Sequence, residues 1–184
     1  MIIEYDYQGM RKVISGGQMG SDYGGLVAAK SFNIHTGGMA PQNWKTCAGP
    51  KPSLATDFGL QESSSPLYNI RTKANVLASD ATLIVASNLQ SPGTALTRRI
   101  CQLNKKPFFQ LQVELESRFT GKEVYDEENY PWVMVDFLKN HNVNILNVAG
   151  NRDKVGSYHQ DRTTHFLALV FEALKFENKL ITTT

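Results

Sequence analysis

Short, continuous apolar runs alternate along this chain with segments of helical periodicity. Glycine-rich turns stand where two of the runs give way to helices. Together these observations predict an α/β fold, a mainly parallel sheet with helices on both faces. The runs are RKVIS (Arg11 to Ser15), SFNIHT (Ser31 to Thr36), ATLIVAS (Ala81 to Ser87), PFFQLQV (Pro107 to Val113) and VNILNV (Val143 to Val148). They do not alternate with polar residues, as strands covered on both faces need not. Helical patterns run from Tyr23 to Lys30, Tyr68 to Leu77, Thr94 to Leu103, Trp132 to Asn140 and Arg162 to Phe176. In the last, Phe166, Leu167, Val170, Phe171 and Leu174 form one apolar stripe. Such a sheet places ligands outside the carboxyl ends of its strands.

The 184 residues suit a single domain spanning 1–184. Two stretches break the alternation. Gly37 to Ser65 is rich in glycine and proline and lacks a clear period, which reads as a long functional loop. Residues 114–131 are polar and acidic, and read as a surface insertion. A net charge of +2 does not point to a nucleic-acid surface, and the nearest basic cluster, Arg98-Arg99 with Lys105-Lys106, reads as the solvated face of one helix, so no nucleic-acid partner is expected. Cys47 and Cys101 stand far apart with no CxxC pair, which suits a reducing compartment. The first residues lack the basic-then-apolar pattern of a signal peptide, and no apolar segment approaches the roughly 18 residues that span a bilayer. A cytoplasmic protein without membrane partners is expected. His35, His141, His159 and His165 show no ligand spacing, so no metal site is expected.

The loop SGGQMGSDYGG, Ser15 to Gly25, follows a strand and opens a helix. Helix N-termini carry unpaired N–H groups and a positive dipole end, and glycines let the backbone approach an anion. Yet Gly16 and Gly17 are adjacent and Gly20 follows, unlike the dinucleotide fingerprint, and no acid ends the next strand. No Gly-Lys-Ser/Thr follows either, so this is no P-loop. Equally open is a plain tight turn capped by Ser21 or Asp22. Asp22 is favoured by the dipole in either case. In a nucleotide site it would accept ribose hydroxyls.

A second such turn, NLQSPGTALTRR, follows ATLIVAS and includes Gly93, Thr94 and Thr97. Upstream, Arg71 and Asn75 share one helical face beside Thr72. ISGGQMGSD, RT with NV and SDATLIV, PGTALT, KP and ILNVAGNR occur in an order that resembles the molybdenum-carrier family, over Lys12 to Leu174. That family is a circularly permuted branch of the SLOG superfamily, the Rossmann-like group that includes the LOG phosphoribohydrolases. The resemblance implies a three-layer Rossmann-like fold, homo-oligomers, and a pocket for a nucleotide or a molybdopterin-type ligand. By motif, Gly16, Gly17, Gln18, Gly20, Ser21 and Asp22 would line one subsite. Arg71, Thr72 and Asn75 would face it from a helix. Gly93, Thr94 and Thr97 would form a second anion loop, closed by Asn147, Gly150, Asn151 and Arg152.

LOG enzymes carry a glutamate in the helix after their P-G-G-x-G-T motif. Here that helix reads Ala95, Leu96, Thr97, Arg98, Arg99, with no carboxylate. Glycosidic cleavage needs a group to activate water, and the only substitutes are Glu62 and Asp22. No Ser-His-Asp pattern or nucleophile elbow is legible. The expected function is capture of a nucleoside phosphate or ADP-ribose-type signal. A phosphoribohydrolase and a molybdenum-cofactor carrier are the alternatives.

Overall fold

The computed structural model describes residues 7, 9–113, 130–153 and 158–181. In chain order the elements are β1 (Lys12–Ser15), α1 (Ser21–Ser31), β2 (His35–Gly37), β3 (Met39–Ala40), β4 (Lys45–Thr46), β5 (Gly49–Pro50), α2 (Ser53–Phe58), β6 (Gln61–Glu62) and α3 (Tyr68–Ala78). There follow β7 (Ala81–Ala86), α4 (Pro92–Leu103), β8 (Phe108–Gln112), α5 (Tyr130–Asn140), β9 (Ile145–Gly150) and α6 (His159–Ile181). Five strands form one parallel sheet in the order β2-β1-β9-β7-β8. The fold is α/β and Rossmann-like. Among the described residues no helix is long and apolar enough to cross a membrane.

Strand β7 is buried at all six positions, as its unbroken apolar run requires of a strand covered on both faces. On one face Val13, Leu83, Val85, Leu146 and Val148 meet the α6 stripe of Phe166, Leu167, Val170, Phe171 and Leu174. Ala28 and Ala29 of α1 and Met134, Val135 and Leu138 of α5 complete that layer. On the other face Val76 of α3 packs with Ile100 and Cys101 of α4. Small residues set how closely α1 docks. A Cβ on Gly25 would lie 2.7 Å from the Val148 side chain, and one on Gly24 would lie 2.4 Å from the Gln160 carbonyl oxygen.

Three expectations change. Ser31 to Thr36 is a strand only from His35, because α1 continues through Ser31 and ends in a turn with Asn33 at φ 57°. Asn tolerates that left-handed conformation better than most side chains. Gly37 to Ser65 is not irregular: it holds the β4–β5 hairpin, α2, and a parallel β3–β6 pair. Leu54, Phe58 and Leu60 from this stretch make a small core with Leu26 and Ala40. Helix α4 starts at Pro92, where proline's fixed φ and missing N–H suit the first turn. Of the insertion expected at 114–131, residues 114–129 lie outside the described residues, and Tyr130 and Pro131 already belong to α5.

Phe171 is fully buried and Phe176 is 59% exposed on the same helix. Phe171→Ala should lower unfolding free energy by about 3–5 kcal/mol, and Phe176→Ala by less than about 0.5 kcal/mol. Urea denaturation followed by circular dichroism measures both.

Candidate functional site

In the sheet order, β1 connects outward to β2 and β7 connects outward to β8, with β9 between them. The chain therefore diverges on either side of β9, and such a switch point opens a crevice at the strands' carboxyl ends. A cavity of about 560 Å³ lies there. Its walls are the loop after β1, the inner side of α3, the β7–α4 turn, the end of β9, and His159 at the start of α6.

The β1 wall carries Gly16, Gln18 and Asp22. The backbone N–H groups of Gly16 and Gln18 both point at the Asp22 carboxylate, and Gly17 N–H donates to Ser15 Oγ at 3.1 Å. The glycine loop thus closes around an anion that belongs to the chain. Arg71 Nη1 lies 3.3 Å from Asp22 Oδ2, with both side chains nearly buried. A Cβ on Gly16 would fall 1.5 Å from Arg71 Nη1, so a side chain there would displace the guanidinium from its present place. Burial pushes the Asp22 carboxyl above the usual range, and the Arg71 charge and the two N–H groups oppose that rise.

Not every residue of the motifs reaches the cavity. Gly17, Gly20, Ser21 and Glu62 are outside its lining. Gly17 faces Leu54 and Leu60. Gly20, at φ 114°, is pressed against the backbone of Asn151 to Asp153, where a Cβ would lie 2.5 Å from the Asn151 carbonyl oxygen. Ser21 Oγ donates to the Val85 carbonyl at 2.8 Å. Glu62 accepts the Asn43 backbone N–H in the β4–β6 region. Gly17, Gly20 and Ser21 support the wall from behind, while Glu62 is exposed and away from it.

On α3, Arg71, Thr72 and Asn75 do line the cavity; Arg71 Nη1 is taken by Asp22, while its buried Nε has no partner among the described residues. Asn75 accepts Met39 N–H at 2.8 Å and donates to Met39 C=O at 3.1 Å, completing the edge of β3. Thr72 bonds back to the Tyr68 carbonyl. Asn147, in the middle of β9, donates to Thr82 Oγ1 at 3.2 Å.

The β7–α4 turn is different. Ser91 precedes α4 without a side-chain cap, and the N–H groups of Gly93 and Thr94 have no partner among the described residues. Thr97 Oγ1 bonds back to Gly93 C=O. Asn151 braces the turn. Its Oδ1 accepts Asn88 N–H at 3.1 Å, while its Nδ2 donates to Ser91 Oγ at 2.8 Å and Thr94 Oγ1 at 2.9 Å. Beside it Gly150 and the exposed Arg152 complete the rim.

Sequence reasoning missed Ser87, His159 and Asp153. His159 Nε2 lies 3.0 Å from Ser87 Oγ, and Nδ1 lies 3.2 Å from Asp153 Oδ1. Asp153 also accepts the backbone N–H groups of His159 and Gln160, so it caps α6. Burial pushes His159 below its ordinary 6.5; Asp153 opposes the shift and Arg162 adds to it. An acid shortly before the histidine that opens a helix was the one local sign.

The sequence profile of the circularly permutated YpsA SLOG family matches residues 13–171. The chain belongs to that family. A crystal structure of a protein from Syntrophus aciditrophicus SB, described as a "putative molybdenum carrier protein", superposes on it with a TM-score of 0.73 at 30% identity. The match covers 89% of this chain and 95% of that one. No curated protein matches. As a SLOG protein the chain is of a ligand-binding type, and its cavity is the candidate site.

Two tests follow from the electrostatics. Arg71→Met leaves Asp22 buried without its cation and should cost about 3–5 kcal/mol at neutral pH, read from the urea midpoint. The loss should shrink in acid as Asp22 takes a proton. His159, with its pKa lowered on folding, binds fewer protons than in the unfolded chain. Its contribution is complete above the ordinary 6.5 and is lost as pH falls through the lowered value. The melting temperature should therefore fall with acidification below about pH 6.5, and less steeply in His159→Gln.

Proposed function

We propose that this cavity captures a nucleotide-derived small molecule, a nucleoside phosphate or an ADP-ribose-type signal. The observation that carries the reading is the division of labour between the two loops. The donors of the β1 loop are taken by Asp22, whereas the first turn of α4 offers two open N–H groups with Arg152 at the rim. An anionic phosphate then suits the α4 end, through unpaired donors and the helix dipole. Ribose hydroxyls suit the other end, where the Asp22 carboxylate accepts. The half-exposed ring of Tyr68 on the rim gives a base a face to stack on. A volume of about 560 Å³ is in the range of small-ligand sites.

Holding is favoured over glycosidic cleavage. Helix α4 carries no carboxylate, Glu62 is outside the cavity, and Asp22 is held by Arg71. The description of the Syntrophus structure as a molybdenum carrier favours a second reading, carriage of molybdenum, of which a molybdenum cofactor is one form. In either reading both thiols stay free, which fits a reducing compartment.

Denaturing the purified protein and identifying released small molecules by mass spectrometry tests the class. Calorimetry with AMP, ADP-ribose and adenosine tests the geometry. Saturable binding of the phosphates is expected, weakened about tenfold by Arg152→Ala, with adenosine unaffected; tenfold corresponds to about 1.4 kcal/mol. No binding of either phosphate, and no ligand released, would overturn the proposal. Release of free base with turnover would replace it with the phosphoribohydrolase.

A further inference from the structure

Ser87, the residue immediately after β7, stands at the carboxyl end of a strand near the centre of the sheet and lines the cavity. Its Oγ meets His159 Nε2 at 3.0 Å, and His159 Nδ1 meets Asp153 Oδ1 at 3.2 Å. The proton positions follow from the partners. Asp153 already accepts backbone N–H groups through both oxygens, so Nδ1 must donate to it. Nε2 of a neutral imidazole is then an acceptor, aimed at the Ser87 hydroxyl. The competing acceptor, Asn151 Oδ1, is farther away at 3.3 Å. The Asn151 amide cannot be reversed, because Asn88 N–H can only donate to its oxygen.

This is the order of groups that activates a serine: a nucleophile within reach of a base, and the base turned by a third group. The His159 side chain is only 4% exposed, yet it lines the cavity. Asn151 also ties Ser87 to Ser91 and Thr94, which brings the open N–H groups of Gly93 and Thr94 to the same end of the cavity. Such donors are suited to the negative oxygen that forms when a serine adds to a carbonyl. Nothing in the capture of a nucleotide calls for this relay.

We propose that Ser87 is a nucleophile toward carboxylic esters, with His159 as its base and Asp153 as the residue that positions the base. Ser87 Oγ adds to the ester carbonyl while its proton passes to His159 Nε2. The C–O bond to the alcohol then breaks, and His159 returns the proton to the departing oxygen. Water, deprotonated by His159, attacks the acyl-serine, and as the Ser87 Oγ–acyl bond breaks His159 returns that proton to Oγ, releasing the carboxylic acid. The sum is ester plus water to acid plus alcohol.

A fluorophosphonate probe tests this without any nucleotide, so failure here and failure of ligand capture are separable. Ser87 Oγ displaces fluoride from phosphorus, and His159 takes the proton. Peptide mass spectrometry of the intact chain should find the adduct on Ser87, absent in Ser87→Ala, a substitution that removes one half-buried, cavity-lining oxygen while the fold is checked by circular dichroism. His159→Gln should slow labelling about 100-fold or more. The groups facing His159 are the Asp153 carboxylate, which raises its pKa, and the Arg162 charge, which lowers it. Asp153→Asn should therefore move the pH midpoint of labelling downward, and Asp153→Glu should bring it back. No Ser87 adduct on the wild-type chain, or equal labelling rates with and without His159, would overturn the proposal. An unmoved midpoint in Asp153→Asn would remove Asp153 from it.

Discussion

The cavity is held in shape by the residue that follows β9. Asn151 receives Ser21 N–H on its carbonyl oxygen at 3.1 Å and donates its own N–H to Val85 C=O at 3.0 Å, joining the glycine loop to β7. Its side-chain amide then fixes Asn88, Ser91 and Thr94, the turn into α4. Every polar group of one residue is therefore matched by a fixed partner, and two segments far from it and from each other in sequence meet on it. A half-buried network of this kind defines a single arrangement, because each unmade bond costs about 1–3 kcal/mol. The open donors of α4 and the Ser87 hydroxyl inherit their positions from it.

Charge is placed with the same economy. The loop that looks most like an anion cradle already encloses the Asp22 carboxylate, and Arg71 neutralises it from α3. In a poorly solvated cavity a second anion beside that carboxylate would be repelled. The two ends of the cavity are thus unlike: one holds a paired carboxylate and guanidinium, and the other presents backbone donors. The nucleotide-type ligand proposed above would bring hydroxyls to the first end and a negative group to the second.

Much of the fold was legible because its signals are local. Phe166 to Leu174 repeat with the helix, and ATLIVAS is an unbroken strand run, so both appear without knowledge of neighbours. Asn33 defeated the second strand, since a left-handed residue ends a helix that the apolar pattern alone would not. The elements between Gly37 and Ser65 are two to six residues long and depend on distant partners such as the Asn75 amide on Met39. Of the site, the residues at the ends of β1, β7 and β9 could be named, but their duties could not. Gly20 and Gly16 are both motif glycines, yet one meets backbone and the other makes room for Arg71. Ser87 and His159 meet only because β7 and β9 are neighbours in the sheet, and no spacing in the sequence states that.

The position of β9 also bears on how the chain comes to be folded. Lys12 is in register with Ile145, and Ala81 with Leu146, so the centre of the sheet is made by pairing across most of the chain. Synthesis delivers β1 and β7 first, each with an edge of unpaired backbone N–H and C=O groups that β9 later fills. Such edges are templates for pairing with other chains, and contacts of long sequence separation form slowly. The nascent protein therefore passes through a period in which its two half-sheets are complete and its middle is absent. In that interval the strand that later positions the binding cavity is also the strand whose arrival protects the chain from aggregation.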